Sequence, residues 1–277
     1  MAGLGRRLVY VKNHLPRREV MSSATLVPKM VNDSAIPPAQ LGSSIGHRIQ
    51  ALDWEALESA LSENGYAQTG RILTVEECRD LISLYPDDKL FRSHIEMARF
   101  RFGLGDYKYF ANPLPDLVQE LRESFYPQLA PIANRWMENL GSRERFPGRL
   151  PEFLKVCHRR GQNRPTPLLL RYTAGGYNCL HQDIYGEVAF PLQVACFLSQ
   201  PERDYNGGEF LLMEQRPRAQ SKGAVVRPQQ GEAVIFTTRY RPVRGTRGYY
   251  RVNIRHGVST VKSGERYTLG IIFHDAK

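Results

Sequence analysis

Residues 170–183 read LRYTAGGYNCLHQD, and the end of this stretch decides what the chain is built around. In a strand, side chains two residues apart leave the same side of the sheet. His181 and Asp183 therefore offer an imidazole and a carboxylate on one face, at a spacing that suits two adjacent positions of one metal ion. A second imidazole from a facing strand completes a set of three, and such a set leaves half an octahedron open to other ligands.

The third ligand is expected on a late strand. In RVNIRHGVS (251–259), Val252, Ile254, His256 and Val258 share one face, and Arg251, Asn253 and Arg255 share the other. His256 thus points with the apolar residues, into a barrel. A buried imidazole needs a partner there, either a metal or an ordinary hydrogen bond in the core. Ten residues on, in ERYTLGIIF (265–273), Arg266 and Thr268 share a face opposite Tyr267, Leu269, Ile271 and Phe273. A guanidinium beside a hydroxyl, aimed inward, suits capture of a carboxylate. The alternative is a salt bridge in solvent at a strand end. Two imidazoles and a carboxylate with open positions beside them are the pattern of non-haem Fe(II) oxygenases.

The surrounding texture supplies the frame. From Pro165 onward, short β runs alternate with turns, predicting strands at 168–172, 192–198, 209–213, 224–227, 233–237, 252–258 and 267–273. Gly175-Gly176, Asn206-Gly207-Gly208, 229–231 and Ser263-Gly264 provide the turns. Seven such strands predict a sandwich or barrel. A regular strand through 179–183 would also put Cys179 on the face of His181. Upstream the period is helical. Asp53 caps a helix with Trp54, Leu57 and Leu61 on one face and Gly65 as its stop. Thr74 and Glu77 form a capping box. A further helix runs from Asp116 and is expected to break at Pro127, with a second segment carrying Ile132, Trp136 and Leu140 to Gly141. Residues 1–50 are polar, Pro-rich and aperiodic, and predict a disordered basic tail, with Met21 an alternative start. The expected organisation is tail 1–50, helical support 51–160 and catalytic core 161–277.

Together these residues resemble the Fe(II)/2-oxoglutarate-dependent dioxygenases, in their prolyl-4-hydroxylase-like branch. The resemblance covers the last 110 residues or so. It rests on an ordered set: Tyr172, Gly175-Gly176, His181-x-Asp183, Gly207-Gly208-Glu209, Pro228–Gly231, His256 and Arg266. It implies an α+β chain whose core is a double-stranded β-helix (jelly-roll, cupin-like), with N-terminal helices packed on one face. It implies Fe(II) on His181, Asp183 and His256. It also implies 2-oxoglutarate held by Arg266 with Tyr172 and Thr268, O2 as oxidant and ascorbate as accessory reductant. The implied reaction hydroxylates a C–H bond and releases succinate and CO2. Many prolyl hydroxylases carry Lys where this chain has Arg266, and AlkB-type demethylases carry a second Arg further on, where this chain reads GIIFHDAK.

Composition bounds the substrate. The chain has 277 residues and a net charge of +10, with no apolar run long enough for a transmembrane helix. The opening lacks the apolar core of a signal peptide. Four cysteines without a CxxC pair predict reduced thiols and a cytoplasmic location. Basic residues concentrate in the first 50 residues and again at 239–255, where six arginines meet no acid. Arg/Tyr interleaving there, and Arg/Phe interleaving in MARFRFGLGDYKYF (97–110), suit phosphate contacts and base stacking; surface hairpins are the alternative reading of both. The first substrate expectation is a protein or small molecule. The second is an alkylated base of DNA or RNA, with nucleic acid as partner. The third is a noncatalytic binding module, which the intact ligand set opposes.

Overall fold

The computed structural model describes residues 43–277. The expected tail over 1–42 and the alternative start at Met21 lie outside the described residues. The chain forms α1 (Ile45–Gln50), α2 (Trp54–Asn64), β1 (Tyr66–Arg71), α3 (Val75–Ser83), β2 (Phe91–Glu96), β3 (Gly103–Leu104), β4 (Asp106–Phe110), α4 (Asp116–Asn139) and α5 (Leu150–Arg159). The later strands are β5 (Leu168–Tyr172), β6 (Tyr177–His181), β7 (Leu192–Phe197), β8 (Tyr205–Gly207), β9 (Phe210–Gln215) and β10 (Lys222–Val226). They continue as β11 (Glu232–Thr237), β12 (Tyr240–Gly245), β13 (Gly248–Val258), β14 (Val261–Gly264) and β15 (Arg266–Ile271).

Two antiparallel sheets face each other. One runs β1-β11-β7-β15-β5-β4-β2; the other runs β10-β9-β13-β6-β3, with β12 also on β13. This is the double-stranded β-helix. Period-2 alternation explains its two-sided core. On β7, Val194 and Cys196 pack outward against the helices, and Ala195 and Phe197 pack inward. Every residue of β7 is buried, because both faces of that sheet are covered. The outward cluster joins Leu169, Ile235, Leu269 and Ile271 to Leu61, Leu121, Phe125 and Trp136 of the helices.

The helix ends follow the sequence signals. Asp53 accepts a hydrogen bond from the Ala56 N–H at 3.0 Å, and Gly65 ends α2 at φ 78°. Thr74 and Glu77 cap α3 reciprocally. Two expectations are corrected. Pro127 does not break the helix: α4 runs through both Pro127 and Pro131. An interior proline costs roughly 3 kcal/mol, but Leu121, Phe125, Leu129, Ile132 and Trp136 are all buried along one stripe, each gaining about 1.5–3 kcal/mol. Burial on the sheet therefore outweighs the lost hydrogen bonds. At the end of the expected tail, Ile45–Gln50 is a helix, with Ile45 and Ile49 buried. Its Arg48, one of the basic residues of the first 50, is buried and paired through both terminal nitrogens with Glu77, at 2.5 and 2.9 Å. Within 51–160, β1, β2 and β4 extend the larger sheet. Their sequences, such as YAQTGR, are too polar to announce strands; pairing with a preformed neighbour, as of Tyr66 with Phe236, compensates.

Candidate active site

Tyr172 ends β5, and a tight turn through Gly175 and Gly176 returns the chain into β6. Gly175 has φ +87°, and a Cβ at Gly176 would sit 2.8 Å from the Thr173 carbonyl, so both positions require glycine. β6 then pairs with β13, placing His181 opposite His256 and Asn178 opposite Val258. Three residues on β6 thus span two on β13. This bulge lets both Asn178 and His181 line the interior. Cys179, expected on the face of His181, is exposed and also lines this interior cavity. The Cys179 carbonyl accepts a hydrogen bond from Nδ1–H of His181 at 2.8 Å. That bond fixes the tautomer and leaves Nε2 of His181 with its lone pair free.

The three sequence-nominated ligands converge. Nε2 of His181 is 3.4 Å from Oδ1 of Asp183, and Nε2 of His256 is 3.1 Å from Oδ2. One donor atom from each residue lies within 4.8 Å of the other two. Their side chains are 36, 12 and 9 % exposed in the order His181, Asp183, His256, so the set opens to solvent on the His181 side. His256 is wedged against the Phe236 ring at 4.7 Å. Burial strongly disfavours the Asp183 carboxylate, yet the two imidazoles outweigh it and hold its pKa well below the usual range. Burial, then the neighbouring His181, pushes the His256 imidazole down, against the pull of Asp183. Burial lowers His181 as well, but the neighbouring Asp183 carboxylate wins and raises it. A neutral His256 beside an ionised carboxylate is the state a cation requires.

Arg266, Tyr172 and Thr268 line the same cavity, of about 380 Å3, as His181, Asp183 and His256. Arg266 opens β15 opposite Tyr172 in register and is 1 % exposed. Its Nη1 donates to the Thr268 hydroxyl at 2.7 Å, while Nε and Nη2 are buried without a partner. The guanidinium lies 5.5 Å from the Tyr172 ring and 5.3 Å from Phe197. The Gly207-Gly208 turn makes room for it: a Cβ on Gly208 would meet Arg266 Cδ at 2.9 Å, and its φ is +62°. Burial, offset by Arg266, pushes the Tyr172 phenol up to about 12. A buried cation with unsatisfied donors is costly by itself and calls for an anion.

Other residues here were not legible as ligands. The Tyr185 hydroxyl donates to Oδ1 of Asp183 at 2.7 Å. Gln193, on β7, lines the cavity with its Nε2 buried and unpartnered. Gln182 donates to the carbonyls of Arg239 and Ile254, which ties the base of the β12–β13 hairpin to the loop between His181 and Asp183. The two interleaved stretches divide. Lys108 and Tyr109 are buried in β4, and Tyr240 lies beneath the Arg251 guanidinium, whereas Phe100, Arg101, Phe102 and Tyr249 are exposed.

A family described as "Oxygenase, catalysing oxidative methylation of damaged DNA" matches residues 105–276. The chain belongs to this oxygenase family. Two Mycobacterium tuberculosis proteins, Rv2227 (strain H37Rv) and MT2286 (strain CDC 1551), are each 52 % identical to this oxygenase over 167 residues. The match covers 60 % of this chain and 72 % of theirs. Among solved structures, a Pseudomonas putida prolyl-4-hydroxylase superposes with a TM-score of 0.51 at 14 % identity, over 81 % of this chain and all of that one. That likeness is one of fold. The oxygenase is a 2-oxoglutarate- and Fe(II)-dependent enzyme with O2 as co-substrate, as its sequence resemblance implied. Among the described residues, no helix is long and apolar enough to cross a membrane.

Proposed function

We propose that this oxygenase oxidises an alkyl C–H bond on a base of single-stranded or locally opened nucleic acid. His181, Asp183 and His256 would hold Fe(II); Arg266, with Thr268 and Tyr172, would hold the distal carboxylate of 2-oxoglutarate. Two features of the chain support these assignments. The donor set is two imidazoles and one carboxylate, suited to Fe(II). The Nε and Nη2 atoms of Arg266 are buried without partners, in a cavity shared with that set. Bound there, Fe(II) and 2-oxoglutarate would supply the redox chemistry that couples decarboxylation to insertion of one atom of O2 into a C–H bond.

The protein's own groups would orient and exclude. The Cys179 carbonyl holds the tautomer of His181, and the Tyr185 hydroxyl engages one carboxylate oxygen of Asp183. The Phe236 and Phe210 rings beside His256 keep water from that side. On β7, Phe197 lies opposite Thr268, next to Arg266; four residues along the strand, about 13 Å, brings Gln193 to the other end of the cavity. Its unpartnered amide there suits a ring nitrogen or exocyclic oxygen of a base.

The single observation that carries the substrate is the rim. Arg101 and Phe102 line the cavity itself, and the hairpin tied to Gln182 exposes Arg239, Arg244, Arg247, Arg251 and Arg255. None of these five forms an ion pair among the described residues. Phosphates neutralise such charge, and an extruded base fits an apolar cavity. The family's described action on damaged DNA agrees with this reading.

The test is turnover on defined substrates. With Fe(II), O2 and 2-oxoglutarate, an N-methylated single-stranded oligonucleotide should give succinate and formaldehyde in equal amounts, since a hydroxylated N-methyl group collapses to formaldehyde and the repaired base. Succinate formed only with peptides or small molecules would overturn the nucleic-acid reading and return the first substrate expectation.

A further inference from the structure

Phe100 and Phe102 are 53 and 46 % exposed, and their rings stack on each other, 5.5 Å apart and 20° from parallel. The half of each ring turned into solvent contributes no burial to the fold. The loop that carries them is nonetheless tied down by hydrogen bonds and close packing. Met97–Phe100 is a single 3-10 turn, and Arg101 follows it in the left-handed region at φ 60°, uncommon for a non-glycine residue. The Met97 N–H donates to the Gly105 carbonyl and the Phe102 N–H to the Met97 carbonyl, both at 3.0 Å. Gly103, at φ +141°, lies so close to β6 that a Cβ there would collide with the Tyr177 carbonyl. The Cys179 N–H donates to the Phe102 carbonyl at 2.8 Å, two residues before His181. The aromatic pair is therefore clamped to the strand that carries His181, at the mouth of the cavity that Arg101 and Phe102 line.

We propose that Phe100 and Phe102 are a stacking platform for an unpaired base of a single-stranded nucleic acid, the neighbour of the base that enters the cavity. This rests on the nucleic-acid reading above and adds where the rest of the strand lies. Charge complementarity selects the occupant. Arg99, which pairs with Glu96 at 2.8 Å, and Arg101 alternate with the two rings, and Arg239, Arg251 and Arg255 stand exposed on the hairpin tied to Gln182. An apolar protein partner favours a patch depleted of charge at its centre. A nucleic-acid strand instead presents a π face every nucleotide with a phosphate between, which matches rings interleaved with guanidinium groups. A pair already stacked before binding gives that face at reduced entropic cost.

The experiment is fluorescence anisotropy of the Fe(II)-loaded full chain with two fluorescein-labelled probes: a deoxythymidine oligonucleotide, and an abasic oligonucleotide of equal length. Phe100→Leu and Phe102→Leu keep apolar bulk but remove the π face. Each should weaken the thymidine probe about ten-fold while leaving the abasic probe and the salt dependence as in the wild type. Phe100→Trp should restore or improve binding. Arg101→Gln should weaken both probes and lower the slope of log affinity against log salt by about one. An unchanged thermal midpoint shows that the leucine variants are folded. Leucine variants that bind the thymidine probe as the wild type does, or that lose the two probes equally, would overturn the platform. A wild type that binds and demethylates alkylated oligonucleotides alongside unaffected leucine variants defeats the platform alone. A wild type that binds neither probe defeats the nucleic-acid reading and the platform with it.

Discussion

His274 makes the stability of this protein depend on pH in a calculable way. The imidazole is fully buried, accepts a hydrogen bond at Nδ1 from the Phe190 N–H at 3.2 Å, and has no partner at Nε2. Burial first, then the nearby Arg122 guanidinium, pushes its pKa down to about 4, with Asp183 and Asp275 offsetting part of the effect. In the unfolded chain the value is about 6.5. Between these two values the unfolded state binds more protons than the native state, so stability falls as pH falls. The loss begins near pH 6.5 and is complete near pH 4. Between pH 7.5 and pH 5 the two values give a loss of about 2 kcal/mol. For a chain of this size that corresponds to a fall in Tm of about 4–8 °C. His274→Asn retains an acceptor for the Phe190 N–H but does not titrate. Thermal unfolding of both proteins at pH 7.5 and 5, with a chelator present so that metal release does not contribute, isolates the effect. The variant should start lower, because it leaves a small cavity, and should lose about 2 kcal/mol less on acidification. Parallel losses in the two proteins would refute the argument.

Other consequences follow from the cavity. His181→Ala and Asp183→Ala should each abolish Fe(II) binding and turnover, measured as iron stoichiometry and succinate release; wild-type activity in either variant would remove the ligand assignment. Arg266→Ala should raise the 2-oxoglutarate requirement roughly 10- to 100-fold, the worth of hydrogen bonds to a charged group, with much less effect on iron affinity. Equal loss of both would mark Arg266 as structural. Tyr185→Phe should weaken Fe(II) about 10-fold by releasing one oxygen of Asp183, read by metal titration at an unchanged Tm. Gly208→Ala should raise KM for 2-oxoglutarate more than it lowers iron binding, because its Cβ would press on Arg266 Cδ.

The strands that line the cavity were legible because their signals are local. Period-2 alternation placed His256 and Arg266 on the inward face, and β5, β7 and β11 fall within a residue or so of the expected ranges. Helix caps at Asp53 and Thr74 were equally local. What the sequence hid depends on partners distant along the chain. β1 is strand only because β11 offers an edge. α4 survives two prolines because its stripe is buried on a sheet assembled from later residues. The β6 bulge is set by register with β13, so it could not be read from spacing. Tyr185 and Gln193 carry no motif; they matter because the fold aims a hydroxyl at Asp183 and an unpartnered amide into the cavity.

The most direct test of the account is a crystal structure grown without oxygen in the presence of Mn(II) and 2-oxoglutarate, with the metal located by its anomalous signal. A single peak bound by Nε2 of His181, the carboxylate of Asp183 and Nε2 of His256, with the far carboxylate of 2-oxoglutarate on the Arg266 guanidinium, is the expected result. A peak held by other residues, or a 2-oxoglutarate that leaves Nε and Nη2 of Arg266 unsatisfied, would contradict it.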